Sequence, residues 1–507
     1  MFFTEEIWQA WLGKELRNYA EVKDRKTGLV KREYRKKGYL HFDLRFWLPT
    51  RSKELHEILA DPHGLDRHRF YPFVRWVVKT PRYKRNEKGK KNKKGEVPKR
   101  IMSIKERPIA FASHFDALLY SYHAYQLNDI YQRFLAASDF SECVLAYRSD
   151  LGLNNIDFAR EVFDFIYAAG PCTAVALDVK SFFDTLQHAR LKQNWCRVLG
   201  VEQLPADQYK IYRSLTKYSY VNRGAALRAL GIELRGRKGH KPPARICEDH
   251  ELELLRRRNV ITTNAKPYGI PQGSPLSALL SNIYMIDFDK KLNDAARGGG
   301  FIVRTVCDDI ILVGPTLEVD AMKKLVYEQI EAIGLKIQPA KEEEVAFRLN
   351  EKGELRGYNA RLERDKGITQ YRNLQYLGFE FDGVRTYIRS GSLARFYQRM
   401  MTKVWATAKA TFGLRSRGNK PFTRLLYRRY SIHGEKNFPH YAFKAASEEY
   451  DTNHGRRKGM SSPEIRKQMV KHIPNLQKAI GAKTRRRKAQ KERMVGRKRR
   501  SKGNDAT

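Results

Sequence analysis

Cysteine is scarce in this chain of 507 residues: five are scattered at positions 143, 172, 196, 247 and 307, with no Cys-x-x-Cys pair. An odd, dispersed set excludes a disulfide framework and reads as a reduced, cytoplasmic protein. Cys247 and His250 in "CEDH" have half of a zinc spacing, and no second pair of comparable ligands completes it. Long apolar runs are missing as well, so no membrane span is expected. The opening "MFFTEEIWQAW" has acids where a signal peptide needs a basic flank, and no internal repeat marks a solenoid or array.

Negative charge is the other shortage. Against 98 Lys plus Arg stand 56 Asp plus Glu, a formal balance of +42. Such a surface attracts a polyanion, and nucleic acid is the default one, because each phosphate neutralised releases counterions and adds sequence-independent affinity. The length suggests two to four domains with ample material for a core.

Composition divides the chain. Residues 1–100 form an N-terminal extension that mixes aromatic and basic residues ("YLHFDLRFWL", "RFYPFVRWVVK") and ends in "RYKRNEKGKKNKKGEVPKR", residues 82–100, where ten basic residues and little that is apolar predict a mobile, basic arm. Residues 101–385 carry a mixed helix and strand pattern and every candidate catalytic element. Helical spacing dominates residues 386–475, and residues 476–507 read as a basic, disordered tail.

Three carboxylates stand in unusual surroundings. In "GPCTAVALDVKSFFDTL", Asp178 closes an apolar β-type run and precedes Phe182, Phe183 and Asp184. Taken alone, a cap of the next helix is the commoner explanation of it. In "RTVCDDIILVG", residues 304–314, Asp308 and Asp309 sit between two β-rich runs, at a tight turn that has neither Gly nor Asn to absorb positive φ. Like charges side by side in apolar surroundings are costly unless a cation offsets them. A pair of divalent metals about 4 Å apart, activating a hydroxyl and stabilising a leaving oxygen in phosphoryl transfer, is the chemistry that wants three such acids. Mg²⁺ suits carboxylate oxygens and phosphates.

Between these segments, "YGIPQGSPLSALLSNIYMIDFDKKL" predicts a Gly-x-Pro-Gln-Gly turn, with Ser274 as cap and Pro275 in the first turn of a helix. Leu276, Leu279, Leu280, Ile283 and Leu292 supply its apolar stripe. Gly269 and Gly273, lacking side chains, are expected to let a nucleotide or base pair approach the backbone.

In order, "ALDVKSFFD", "GIPQGSPLSALLSN", "VCDDIILVG", "IGLKIQPAK" and "LQYLGFEFDG" resemble the five successive motifs of reverse transcriptases. The resemblance implies a mixed α/β (α+β) right-hand polymerase: fingers and palm, then a helical thumb or C-terminal extension. It implies an RNA-directed DNA polymerase in which Asp178, Asp308 and Asp309 bind two Mg²⁺ ions, with Mn²⁺ as a substitute. Phe183 would be the steric gate against a ribose 2′-hydroxyl. Gln272 and Gly273 would contact the incoming nucleotide, and Lys341 would assist proton transfer to pyrophosphate. "YLGF" resembles the primer grip, Tyr376, Leu377 and Gly378. "VPKRIMSIKERPIAF" resembles the fingers segment whose Lys99 and Arg107 clamp the triphosphate, and Arg148 in "LAYRSDLGLNNIDFAREV" is a weaker candidate. The motif usually written Tyr-x-Asp-Asp reads Val306-Cys307-Asp308-Asp309 here, so the ring beside the primer end is missing while the carboxylates are intact.

"GSPLSALLSNIY" and "LLYRRYSIHGEKNFPHYAFKAA" resemble the bacterial defence-associated reverse transcriptases, which are similar to abortive-infection polymerases. That resemblance implies anti-phage defence, dNTPs as substrate, a noncoding RNA template held by the basic segments, a DNA product and a homo-oligomer. Intron-like and retron-like enzymes are the alternatives, together with an RNA-binding scaffold of vestigial activity. The retron class typically carries a Val-Thr-Gly triplet, which is absent from this sequence.

Overall fold

The computed structural model describes residues 3–17, 19–23, 30–34, 38–85, 100–232, 243–413 and 421–504. Its centre is a five-stranded, wholly antiparallel sheet in the order Leu355–Asn359, Glu343–Leu349, Cys172–Asp178, Asp309–Gly314, Ile302–Val306. Successive residues of a strand face opposite sides. Val175, Leu177, Ile310 and Leu312 accordingly enter one core, and Cys172, Ala174, Ile311 and Val313 another. Burial on both faces is why these strands read as nearly continuous apolar runs.

The first face is covered by the helix Ser277–Gly298, through Leu279, Leu280, Ile283 and Leu292. Each such side chain contributes roughly 1.5–3 kcal/mol relative to exposure. That helix begins at Ser277 and not at Pro275: its first residue donates Oγ–H to the Pro271 carbonyl (2.7 Å), so residues 271–276 are spent on the turn. The second face is covered by the helix Asn155–Ala169, through Val162, Phe163 and Ile166. A reciprocal cap starts it: Asn154 Oδ1 accepts from the Ile156 amide and Asp157 Oδ2 accepts from the Asn154 amide, both at 2.9 Å.

A long hairpin, Phe73–Arg85 against Arg100–Phe111, pairs in register from Val74 and Phe111 to Arg85 and Arg100 and extends into the short strands Ser219–Asn222 and Ile261–Thr263. The expectation of a mobile arm over 82–100 is therefore corrected at its flanks, which are strand; residues 86–99, Lys99 among them, lie outside the described residues. Beyond the sheet, the helices Ser390–Thr411, Arg424–Tyr430 and His472–Asn504 share a core of Met400, Val404, Leu426, Leu476 and Ala479. The segment expected as a disordered tail is thus helical as far as Asn504: Ala, Lys, Arg, Gln and Glu favour helix, and Leu476 and Ala479 give it something to pack on. No helix of the described residues is long and apolar enough to cross a membrane.

Candidate active site

Two backbone features gather the aspartates at one end of the sheet. Asp178 and Asp309 are direct partners across neighbouring strands, which sets their Cα atoms about 5 Å apart. The Val179 amide then donates to the Asp308 carbonyl at 2.9 Å. Asp178 is not a helix cap: the next helix, Phe182–Thr185, has Ser181 at its cap position, so the local explanation of that carboxylate fails. The hairpin turn between Val306 and Asp309 resolves the missing glycine in an unexpected way. Cys307 itself takes φ of +58°, a conformation that costs a non-glycine residue roughly 1–2 kcal/mol and that surrounding structure must hold in place.

The carboxyls repel one another. Asp309, although reached by solvent, is pushed up to about 6, first by desolvation in the concave edge and then by Asp308 and Asp178, with Lys341 and Arg389 opposing. Asp308 is raised by the same two causes, burial and then Asp178, with Lys341 and Lys105 opposing. The Lys341 ammonium lies directly on Asp178 Oδ1. Its segment is laced to the strand end, since Gln338 N donates to Asp178 O and Lys180 N to Lys336 O, both at 2.8 Å.

Among the described residues, no group of three or more His, Cys, Asp or Glu side chains is positioned as it stands to hold a metal ion. The Asp178 carboxylate is engaged by Lys341 instead. The donor chemistry nonetheless fits a hard divalent cation, because three carboxylates share one edge and burial and like charge disfavour the anions of two of them unless a cation offsets them. Turning Asp178 from Lys341 would complete the set.

The Gly-x-Pro-Gln-Gly turn is fixed to two neighbours. The Ile270 amide donates to the Phe183 carbonyl (2.9 Å) and Gly269 N to the Leu186 carbonyl (2.8 Å), so Phe183 and Gln272 belong to one hydrogen-bonded unit. Phe182 is buried while Phe183 is half-exposed. On the other side, Ala110 N donates to the Gln272 carbonyl at 2.8 Å, tying the turn to the long hairpin. A Cβ on Gly273 would meet Ala110 O at 2.6 Å, and one on Gly269 would meet Asp184 O at 3.0 Å. The close approach expected of a nucleotide is therefore made by the chain's own backbone, and both glycines, at φ of +125° and +89°, serve the packing of the turn.

Other expected residues fall variously. Arg107 stands in the hairpin strand three residues before Ala110, two from Lys105 and on the same face as it. Tyr376 is buried behind Asp309, with its hydroxyl unpartnered among the described residues, while Leu377 at φ of +43° and Gly378 at +94° form the half-exposed turn in front of it. Arg148 is not a surface charge: it is buried, paired with Asp150 at 2.9 Å and donating to the Ser141 carbonyl at 3.0 Å.

Two residues escaped the sequence reading. Lys105 lies within electrostatic reach of Asp308, and its signal was the strand alternation it shares with Arg107. Tyr147, half-exposed at φ of +58°, has its hydroxyl in hydrogen-bond contact with the Cys307 thiol. It puts a ring beside the aspartate turn from a segment that nothing in the local sequence links to it.

Residues 253–381 match the family model for reverse transcriptase (RNA-dependent DNA polymerase). This stretch is a reverse transcriptase domain. It contains Gln272, Gly273, Asp308, Asp309, Lys341 and residues 376–378, whereas Asp178 is brought to it by the sheet. The matched family is one of RNA-dependent DNA polymerases, whose chemistry is nucleotidyl transfer and whose fold is a right-hand polymerase. No curated protein matches the chain. Among solved structures, telomerase from Candida albicans in complex with a fragment of telomeric RNA aligns at 11% identity and a TM-score of 0.34, over 80% of this chain and 54% of that one. Apo telomerase from Candida tropicalis aligns at 11% identity and 0.37, over 95% and 63%. The chain thus spans less than two thirds of the length of either telomerase.

Proposed function

We propose that the protein is an RNA-directed DNA polymerase that extends a primer by two-metal nucleotidyl transfer. The observation that carries this reading is the carboxylate edge that the sheet assembles at a reverse transcriptase domain: Asp178 in register with Asp309, Asp308 beside them, and the carboxyls of Asp308 and Asp309 raised by burial and then by neighbouring carboxylates. Asp178, Asp308 and Asp309 would hold Mg²⁺, which when bound lowers the pKa of the attacking hydroxyl and stabilises the leaving oxygen. Phe183 flanks the sugar of the incoming nucleotide, Gln272 its base, and Lys105 with Arg107 its phosphates. Lys341, freed from Asp178, donates a proton toward departing pyrophosphate.

The template in this reading is a dedicated noncoding RNA, and the setting is anti-phage defence in the cytoplasm. Support for that narrower assignment comes from "GSPLSALLSNIY" and "LLYRRYSIHGEKNFPHYAFKAA" and from the +42 charge. The test is to purify the protein with co-expressed RNA, sequence that RNA, and supply labelled dNTPs and Mg²⁺ beside the Asp308→Ala/Asp309→Ala variant. DNA synthesis on one co-purifying RNA, lost in the variant, is the expected result. RNA retained with no incorporation by the intact complex would favour an RNA-binding scaffold.

A further inference from the structure

A cleft of about 1560 Å³, with none of the three aspartates in its walls, lies between residues 66–73, the helix Ala206–Thr216 and residues 267–268. Its walls carry seven aromatic and five cationic side chains against one carboxylate. We propose that this cleft binds a single strand of RNA or DNA, with bases stacked on the rings and phosphates facing the cations.

The rings are available. Tyr209 and Tyr268 are 42% and 38% exposed although a large aromatic surface normally seeks cover. Tyr209 lies nearly parallel to Tyr212 at 6.1 Å, and the Lys192 ammonium sits 5.3 Å from the Tyr209 ring centre, so a flat face already bears a cation. The cations are available too. Among the described residues, Arg69, Lys192, Arg213 and Lys217 have no carboxylate partner, in a chain where many exposed arginines do. An excess of unpaired cations beside exposed rings suits a phosphodiester strand; an acidic peptide would match the charge and leave the rings unused.

The rim is pre-formed. Asp116, 1% exposed, accepts from His68 Nε2 at 2.7 Å and from the Tyr71 amide at 3.0 Å, which fixes residues 68–71 along one lip. The floor leads to the active site: His188 Nε2 bonds the Gly269 carbonyl at 2.8 Å and Gln187 bridges to Tyr268, so the cleft and the Gly-x-Pro-Gln-Gly turn share a wall. Where the polymerase reading holds, the strand is the unpaired template approaching that turn; only this last step rests on that reading.

The full-length protein would be titrated with fluorescein-labelled rU20 and dT20, homopolymers without secondary structure, and anisotropy followed across salt concentrations. Tyr209→Ala is expected to weaken binding about tenfold and Tyr209→Phe to retain it within about twofold, since the ring is what stacks. Arg213→Ala/Lys217→Ala is expected to flatten the slope of log affinity against log salt by about 1.4, the share of two phosphates on a single strand. All three residues face solvent or nearly so, and circular dichroism would verify the fold. Affinity and salt slope equal to wild type in both the Tyr209→Ala and the double-cation variants would overturn the site. The ratio of rU20 to dT20 affinity tells RNA from DNA. On primer–templates of increasing overhang, wild-type KM should fall with overhang length while Tyr209→Ala loses that dependence. Absent incorporation by the wild type would defeat the polymerase reading alone, because the homopolymer titrations stand without it.

Discussion

Two sets of aspartates in this molecule are taken out of bulk water with opposite results. In the N-terminal region Asp43 Oδ1 accepts from His114 at 2.7 Å and Oδ2 from the Phe115 amide at 3.0 Å; burial pushes its carboxyl up, but those donors outweigh burial and the net shift is downward. Asp116 is equally supplied, by His68 and the Tyr71 amide. At the edge of the five-stranded sheet desolvation meets further carboxylates, and Asp308 and Asp309 move upward. Desolvation is common to both sites, so the neighbours decide the sign. A chain that satisfies its structural acids and leaves two others in mutual repulsion is keeping a place for positive charge.

The sharpest way to break that comparison is to remove one carboxylate on each side. Asp308→Asn is expected to cut single-nucleotide extension by about 10³-fold, roughly 4 kcal/mol of barrier, since an amide cannot hold the cation. Its fold should be intact by circular dichroism. Asp116→Ala should do the reverse. It strands the Tyr71 amide and His68 in a buried pocket and removes the acid from the first turn of the helix His114–Ala136, a loss of about 3 kcal/mol seen as an earlier urea midpoint. Extension per folded molecule should change little on a template whose overhang is too short to reach the cleft. A variant pair with both effects on both readouts would abolish the distinction.

A smaller effect concerns stability alone. Asp309 titrates at about 6 in the folded chain and near 3.8 in an ordinary setting, so the folded state binds more protons between those values and stability falls as pH rises through them. Asp309→Asn in metal-free buffer should therefore raise the melting midpoint at pH 7.5, by about 1 kcal/mol once solvent screening of this open group is allowed for. Well below pH 3.8, where both states are protonated, the gain should disappear. A variant less stable than wild type at pH 7.5 would contradict the upward shift.

How much of this was legible in the sequence follows from how local each determinant is. Cys172–Asp178 and Asp309–Gly314 announce themselves because strands buried on both faces read as apolar runs, and carboxylates ending such runs have little local excuse. The helix Ser277–Gly298 declared its stripe, though not its first residue, because Ser277 bonds back to Pro271. What stayed hidden depends on partners far along the chain. Nothing near Gly273 says that Ala110 O will sit where its Cβ would be, and nothing near Cys307 says that its positive φ will be tolerated. Lys105 is marked in the sequence only by the strand alternation it shares with Arg107, and Lys99 lies outside the described residues. The aromatic cleft is assembled from separated stretches, each of which reads singly as ordinary surface.

The smallest expected effect tests the cation that already occupies the edge. Lys341 contacts Asp178 and lowers the carboxyls of both Asp308 and Asp309 through space. Its removal as Lys341→Gln leaves those two groups with burial and like charge less opposed, so they should hold their protons to a higher pH. Mn²⁺ affinity, measured by electron paramagnetic resonance between pH 5 and 8, should rise with pH as the carboxyls ionise, and its midpoint should move upward by a few tenths of a pH unit in the variant, the scale of one charge through a partly solvated edge. At pH 8, where the carboxyls are ionised in both proteins, the variant should bind Mn²⁺ at least as tightly as wild type, because a competitor for Asp178 has gone. A midpoint that moves down, or an affinity that falls at pH 8, would mean that Lys341 acts on the edge by holding Asp178 in place and not by its charge.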